Sequence, residues 1–132
     1  MNVTIDTSAL IAVIGNEESK EKIVEITVGY SLFAPSSVHW EIGNAFSAMF
    51  KRDGATIESA RAAIAAYKKI PIRFIEVSLE KALELSSKFN IYAYDAYLIQ
   101  CSLQTSTALL TLDRGLMLAA SKAGVECMEI TR

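Results

Sequence analysis

Four acidic residues fall where segment boundaries can bring them to one end of a fold. Asp6 follows the apolar run Val3-Thr4-Ile5, and Asp113 follows Ala108-Leu109-Leu110-Thr111-Leu112. Glu41 and Asp95 each stand near the start of a helical stretch. Two carboxylates about 4 Å apart repel by roughly 4 kcal/mol at an effective dielectric near 20. Four that converge must raise one another's pKa or share a cation. Mg²⁺ or Mn²⁺ suits such a nest, because both are hard ions that take oxygen ligands. An ion held this way polarises a phosphodiester and helps to generate hydroxide. Neutral helpers stand at useful spacings: Ser8 two residues after Asp6, Asn44 one helical turn from Glu41, and Thr111 two residues before Asp113 on the same strand side.

The elements that must position these acids can be read from periodicity and punctuation. Val3–Ile5 is a short strand. Thr7 or Ser8 is expected to cap a helix through Ile14, stopped by Gly15. A second helix is predicted over 17–28 and a second strand over 31–34, closed by Pro35. Ser36 or Ser37 then caps a helix to Arg52 whose stripe Ile42, Ala45, Phe46, Met49, Phe50 has helical spacing. Thr56 caps the next helix, with Ile57, Ala60, Ile64 and Tyr67 on one side, and Pro71 stops it. A third strand spans 72–77. Ser78 caps a helix to Phe89 that buries Leu79, Ala82, Leu83 and Leu85 and ends at Asn90. A helix over 93–104, a fourth strand over 108–112, a helix over 116–122 and a fifth strand over 125–130 complete the chain. Strands alternating with helices imply a mostly parallel sheet covered on both faces. Ligands of such sheets sit beyond the carboxyl ends of the strands, where strand order reverses. Asp6 and Asp113 flank that crevice if the first and fourth strands are neighbours.

The bulk numbers fit one soluble domain. The chain has 132 residues, 52% hydrophobic and 21% charged, enough for one proper core and too few to expect two. No apolar run reaches the ~18 residues of a membrane span. The start shows no basic segment or cleavage site of an export signal, so a cytoplasmic protein is expected. Cys101 and Cys127 match no metal-ligand spacing and read as reduced, buried thiols. A net charge of −2 argues against a generic nucleic-acid binder, though not against an enzyme that handles RNA through a cation and a local basic patch. Lys51, Arg52, Arg61, Lys68, Lys69 and Arg73 supply either such a patch or a solvated helix face.

Together the four segments resemble a known family, the PIN-domain nucleases. Val3-Thr4-Ile5-Asp6-Thr7-Ser8-Ala9-Leu10 resembles their first motif. Glu41-Ile42-Gly43-Asn44-Ala45 resembles the second, a Glu followed three residues later by Asn. Ala93-Tyr94-Asp95-Ala96 and Leu110-Thr111-Leu112-Asp113-Arg114-Gly115-Leu116 resemble the third and fourth. Order and spacing fit over essentially the whole chain, and the length looks most like VapC-type toxins of toxin–antitoxin pairs. The resemblance implies a single-domain α/β three-layer sandwich with a five-stranded parallel sheet in order 3-2-1-4-5. It implies an endoribonuclease dependent on Mg²⁺ or Mn²⁺, a homodimer, and an antitoxin whose tail blocks the active-site groove. Asp6, Glu41, Asp95 and Asp113 take over the family's acidic roles, with Asp6 and Asp95 in direct metal contact and Glu41 and Asp113 acting through water or a second ion.

Other residues have blander readings. His39, the single histidine, has no partner for a nucleophilic triad and reads as a partly buried structural residue. Trp40 reads as a core or interface residue. Tyr92, Tyr94 and Tyr97 read as packing, with stacking on a splayed RNA base as the alternative. Arg114 either contacts a phosphate or pairs with a neighbouring acid. Two competing functions are a phosphoryl-transfer or receiver domain, which lacks its second acid beside Asp6, and a non-catalytic interaction module on the same fold.

Overall fold

A computed structural model describes residues 1–130. The sheet is built from β1 (Asn2–Ile5), β2 (Ser31–Pro35), β3 (Ile72–Ile75) and β4 (Ala108–Leu110), in spatial order β3-β2-β1-β4 and parallel throughout. Val3 and Thr4 of β1 pair with both neighbours, Leu32 and Phe33 on one side and Ala108 and Leu109 on the other. Val3, Thr4 and Ile5 are all buried, as expected of a central strand covered on both faces.

The helices are α1 (Thr7–Ile14), α2 (Lys20–Ile26), α3 (Ser37–Lys51), α4 (Ile57–Lys69), α5 (Leu79–Phe89), α6 (Ala93–Thr105) and α7 (Arg114–Lys122). Moving from β1 to β2 to β3, the chain crosses through α1–α4. It then returns past β1 to β4 through α5 and α6. Right-handed crossovers put these two groups on opposite faces of the sheet. Accordingly α1 packs against α2, α3 and α4, while α6 packs on β1, β2 and β4 and carries α5. The core runs through Val3, Ile5, Leu10, Ile23, Val38, Ile42, Leu98, Ile99, Leu109, Leu110 and Leu116. The direction of the connections reverses between the neighbours β1 and β4, so a crevice opens at their carboxyl ends.

The expected fifth strand does not form. Residues 125–130 make one isolated parallel bridge, Leu109 to Cys127. It consists of Leu109 N–H to the Glu126 carbonyl and Met128 N–H to the Leu109 carbonyl, each 2.9 Å. Among the described residues the sheet therefore has four strands, in order 3-2-1-4. The cause lies in β4, which is three residues long: Leu109 turns its N–H and carbonyl toward residues 125–130, whereas the next carbonyl, that of Leu110, faces β1 and accepts the Asp6 N–H. Too little of β4 remains to template a longer ladder.

Three helix starts also differ from expectation. Helix α2 spans Lys20–Ile26 rather than 17–28. Asp6, not Thr7 or Ser8, caps α1, and α7 begins at Arg114 under an Asp113 cap rather than at Leu116. An acceptor-only carboxylate takes the orphan N–H groups of a first turn. By contrast Thr56 forms a full capping box with Ser59, Ser78 caps α5, and Asn90 ends it at φ 53°, as read from the sequence. On α5 only Ala82 is buried; Leu79 and Leu83 stand 59% and 50% exposed. This helix rests on α6 at the margin of the fold, so just a thin line of its apolar face is covered. Cys101 is buried and Cys127 half-buried, both as free thiols.

Candidate active site

Asp6 is the hub of the crevice. Asp6 is 3% exposed, yet its carboxylate accepts from three donors. The Ala9 N–H reaches Oδ1 at 2.9 Å, and the Ser8 hydroxyl lies 2.8 and 2.9 Å from Oδ1 and Oδ2. The Thr111 hydroxyl donates to Oδ2 in a short bond. Both hydroxyls are themselves oriented from the end of β4. Ser8 Oγ accepts the Leu112 N–H and Thr111 Oγ1 accepts the Asp113 N–H, each at 3.0 Å. The Asp-Thr-Ser string is thus a device for stitching β1 to β4. Its middle member, Thr7, donates across the crevice to Glu41 Oε2 at 2.9 Å.

Helix geometry brings the remaining acids to the same rim. Helices α1, α3 and α7 leave the carboxyl ends of strands, and α6 runs back into β4, so all four N-termini face the crevice. Asp6 and Asp113 cap two of them, Asp95 lies in the first turn of α6, and Glu41 follows one turn into α3. The positive ends of these helices offset part of the repulsion, each by about 0.3–1 kcal/mol. Asp113 Oδ1 accepts the Gly115 and Leu116 N–H groups.

The offset is incomplete. Burial pushes Asp6 from 3.8 up to about 6 despite its hydrogen bonds to Thr111, Ala9 and Ser8, and Asp113 adds to the rise. Glu41 is raised by burial against the pull of Thr7, then by Asp6 and Asp95. Asp95 is raised by burial and by Asp113. The four acids therefore act on one another as a single electrostatic unit.

All four, with Ser8 and Asn44, line one open cleft of about 570 Å³. Thr111 lies beneath its floor, fully buried. Asn44 stands beside Glu41 in the wall, and its amide makes no hydrogen bond to the carboxylates among the described residues. Glu17, Arg52 and Tyr94 also line the cleft. Glu17 carried no signal in the sequence. The signal for Arg52 was present but unused: Glu41, Asn44, Ala45, Ala48 and Arg52 follow one helical face. Of the three tyrosines, Tyr94 meets Tyr97 edge-on at 6.1 Å, while Tyr92 stands 88% exposed outside the pair. His39 is exposed rather than partly buried, with Nδ1 2.6 Å from the Tyr67 hydroxyl and its ring against Phe74.

The lining offers oxygen donors throughout, which fits Mg²⁺ or Mn²⁺ and disfavours softer ions. Among the described residues no three acid, His or Cys side chains stand close enough to grip an ion together. The site therefore fits an ion that keeps several waters, as Mg²⁺ does, better than one needing a complete protein cage.

Comparison with known proteins follows the same outline. A family model for the PIN domain matches residues 3–122. The fold is similar to VapBC2 from Rickettsia felis, solved with a DNA fragment from its promoter (13% identity, 97% of this chain and 98% of that one, TM-score 0.71). It is similar to VapC20 of Mycobacterium tuberculosis, a sarcin-ricin-loop-cleaving toxin (14% identity, 96% and 98%, TM-score 0.66). It is also similar to VapBC-1 from nontypeable Haemophilus influenzae (16% identity, 100% of both chains, TM-score 0.64). Among curated proteins none matches the sequence significantly. No helix among the described residues is long and apolar enough to cross a membrane. The matching model spans nearly all of the sequence and takes in every acid of the cleft, and on that ground the chain belongs to the PIN domain family.

Proposed function

We propose that this protein is a divalent-metal-dependent endoribonuclease, the toxin of a VapBC-type toxin–antitoxin pair. The observation that carries the reading is the meeting of Asp6, Glu41, Asp95 and Asp113 in one cleft, with their charges mutually uncompensated. Asp6, Glu41, Asp95 and Asp113 would hold Mg²⁺ or Mn²⁺, in part through water. The ion would supply charge stabilisation at the phosphoryl oxygens and an acidified water. Ser8 and Thr111 hold the Asp6 carboxylate in one orientation. Thr7 engages one oxygen of Glu41 and leaves the other facing the cleft, so Glu41 is the group that takes the proton of the attacking water. Hydrolysis by water does not use the ribose 2′-hydroxyl, so products carry 5′-phosphate and 3′-hydroxyl ends. The cleavage of a sarcin-ricin loop by VapC20 supports RNA as the substrate class.

Purified protein incubated with total RNA should cleave it with Mn²⁺ or Mg²⁺ and stop on addition of EDTA. End-labelling of the fragments should find 5′-phosphates. Intact RNA at millimolar Mn²⁺ sinks the reading. One observation favours a second reading, a non-catalytic interaction module: no ligand triplet is already assembled among the described residues. Calorimetric titration separates the two, since the module binds no ion.

The antitoxin has a place to lie. A groove lined by Ile11, Ile14, Phe46, Met49, Ala62 and Ala63 shares Ile11, Glu17 and Met49 with the acidic cleft. An apolar segment seated there leads its next residues directly to the carboxylates. The solved VapBC complexes support such a partner.

A homodimer also belongs to this proposal. Trp40 and Leu79 are exposed at 70% and 59%. Leu79 shares a small pocket with Ser36 and Ser37, one turn before Trp40, and Leu83 lies one turn further along α5. A second copy would cover this apolar surface. Leu83→Glu should convert dimer to monomer in sedimentation at micromolar concentration while leaving the melting of the monomer within about 0.5 kcal/mol. An unchanged sedimentation coefficient for that variant, or a monomeric parent, removes the dimer from this surface.

A further inference from the structure

We propose that Arg52 seats the RNA backbone, binding a phosphate more than one nucleotide away from the one cleaved; this rests on the ribonuclease reading above. Arg52 is the one cation among the described residues that line the cleft, against five carboxylates, Asp6, Glu17, Glu41, Asp95 and Asp113. Its guanidinium is exposed and makes no ion pair or hydrogen bond among the described residues. It does not act as the cluster's counter-charge, since among the described residues it stands in ion-pair contact with none of the five carboxylates. Nor is it needed for the dipole of α3, because Lys51 already occupies that helix's last turn.

Position gives the unspent charge its use. Eleven residues are almost exactly three helical turns, so Arg52 lies on the same face of α3 as Glu41, about 16 Å along the axis. That separation exceeds the spacing of neighbouring phosphates on a strand. A polyanion approaching five carboxylates is repelled unless a cation receives it first, and a planar guanidinium matches a phosphate's two oxygens. Arg52 therefore contacts substrate away from the reacting atoms and determines which lengths are held.

The test compares Arg52→Gln and Arg52→Lys on a long single-stranded oligoribonucleotide and on a dinucleotide. With the long substrate, Arg52→Gln should raise KM roughly tenfold, the loss of one charge-assisted contact, with kcat unchanged. The slope of log kcat/KM against log salt should flatten by about 0.7, the value of one phosphate on a single strand. Arg52→Lys should keep the slope and recover part of the KM. On the dinucleotide all three proteins should behave alike. An equal effect on both substrates, or an unchanged KM on the long one, overturns the proposal. A parallel anisotropy titration of labelled oligonucleotide in EDTA reads binding without cleavage. RNA left intact by the parent protein with Mn²⁺ removes the nuclease reading, whereas equal affinities of parent and Arg52→Gln in EDTA remove the role of Arg52. Arg52 is exposed, so matching melting curves should confirm that the variants fold.

Discussion

Asp6→Asn is expected to abolish cleavage and, at the same time, to make the metal-free protein more stable. The two effects share one cause. Asp6 carries a buried charge that the folded chain alone does not compensate, shown by its rise from 3.8 to about 6. A carboxyl with a higher pKa folded than unfolded binds more protons in the folded state over that interval, so stability falls as pH rises from about 4 through about 6. The shift corresponds to about 3 kcal/mol at neutral pH and above. Asparagine removes that charge and remains a good helix cap, with one oxygen for the Ala9 N–H. Its amide must then face the Ser8 and Thr111 hydroxyls, which can rotate to accept. We expect a gain of about 2 kcal/mol at pH 8, roughly 5–8 °C in melting temperature, and no gain near pH 4. The weaker residual slope comes from Glu41 and Asp95, which shift in the same direction. Activity should fall by at least about 10³-fold, equivalent to about 4 kcal/mol at the transition state. Melting at pH 4 and pH 8 with EDTA, beside an RNA-cleavage assay with Mn²⁺, reads both halves. A variant that cleaves normally, or one that is destabilised at pH 8, contradicts this account of Asp6.

Thr111→Val is the complementary experiment, because it keeps the charge and removes its support. The shapes match, and valine suits the extended backbone at the end of β4. The hydroxyl that donates to Asp6 and accepts the Asp113 N–H is gone. Asp6 then keeps Ser8 and Ala9 as donors, its pKa moves further up, and a backbone N–H loses its partner. The loss at pH 8 should be about 2–4 kcal/mol. Near pH 4 Asp6 is protonated in both proteins and the difference should shrink. Thr111→Ser retains the hydroxyl and should lose only about 1 kcal/mol, for a missing methyl. In EDTA the pH at which the fall in melting temperature levels off should shift upward in Thr111→Val and stay in place in Thr111→Ser. Equal stability of the two variants at pH 8 would falsify the assigned role of the hydroxyl.

Much of this site was legible in one dimension because local chemistry demands it. Apolar runs ending in Asp6 and Asp113 read as strands leading to a rim, and Glu41 and Asp95 read as acids early in helices. Thr56, Ser78 and Asn90 read correctly as caps because capping depends on only a few neighbouring residues. Boundaries failed where a distant residue intervened. Asp6 displaced Thr7 and Ser8 as the cap of α1, since their hydroxyls are drawn to Glu41 and to Asp6 itself. The fifth strand failed because β4 is three residues long and its Leu109 makes the one bridge to residues 125–130.

By itself the sequence determined an alternating α/β chain, the residue types able to hold an ion, and the motifs that mark the family. Tertiary structure alone decided that Asp6 is buried while its partners line an open cleft, and that Arg52 shares that cleft with no ion pair among the described residues. The reason is physical: hydrogen bonds across one or two helical turns follow from spacing. Burial and charge coupling depend instead on residues far apart in the chain, as Asp6 and Asp113 are.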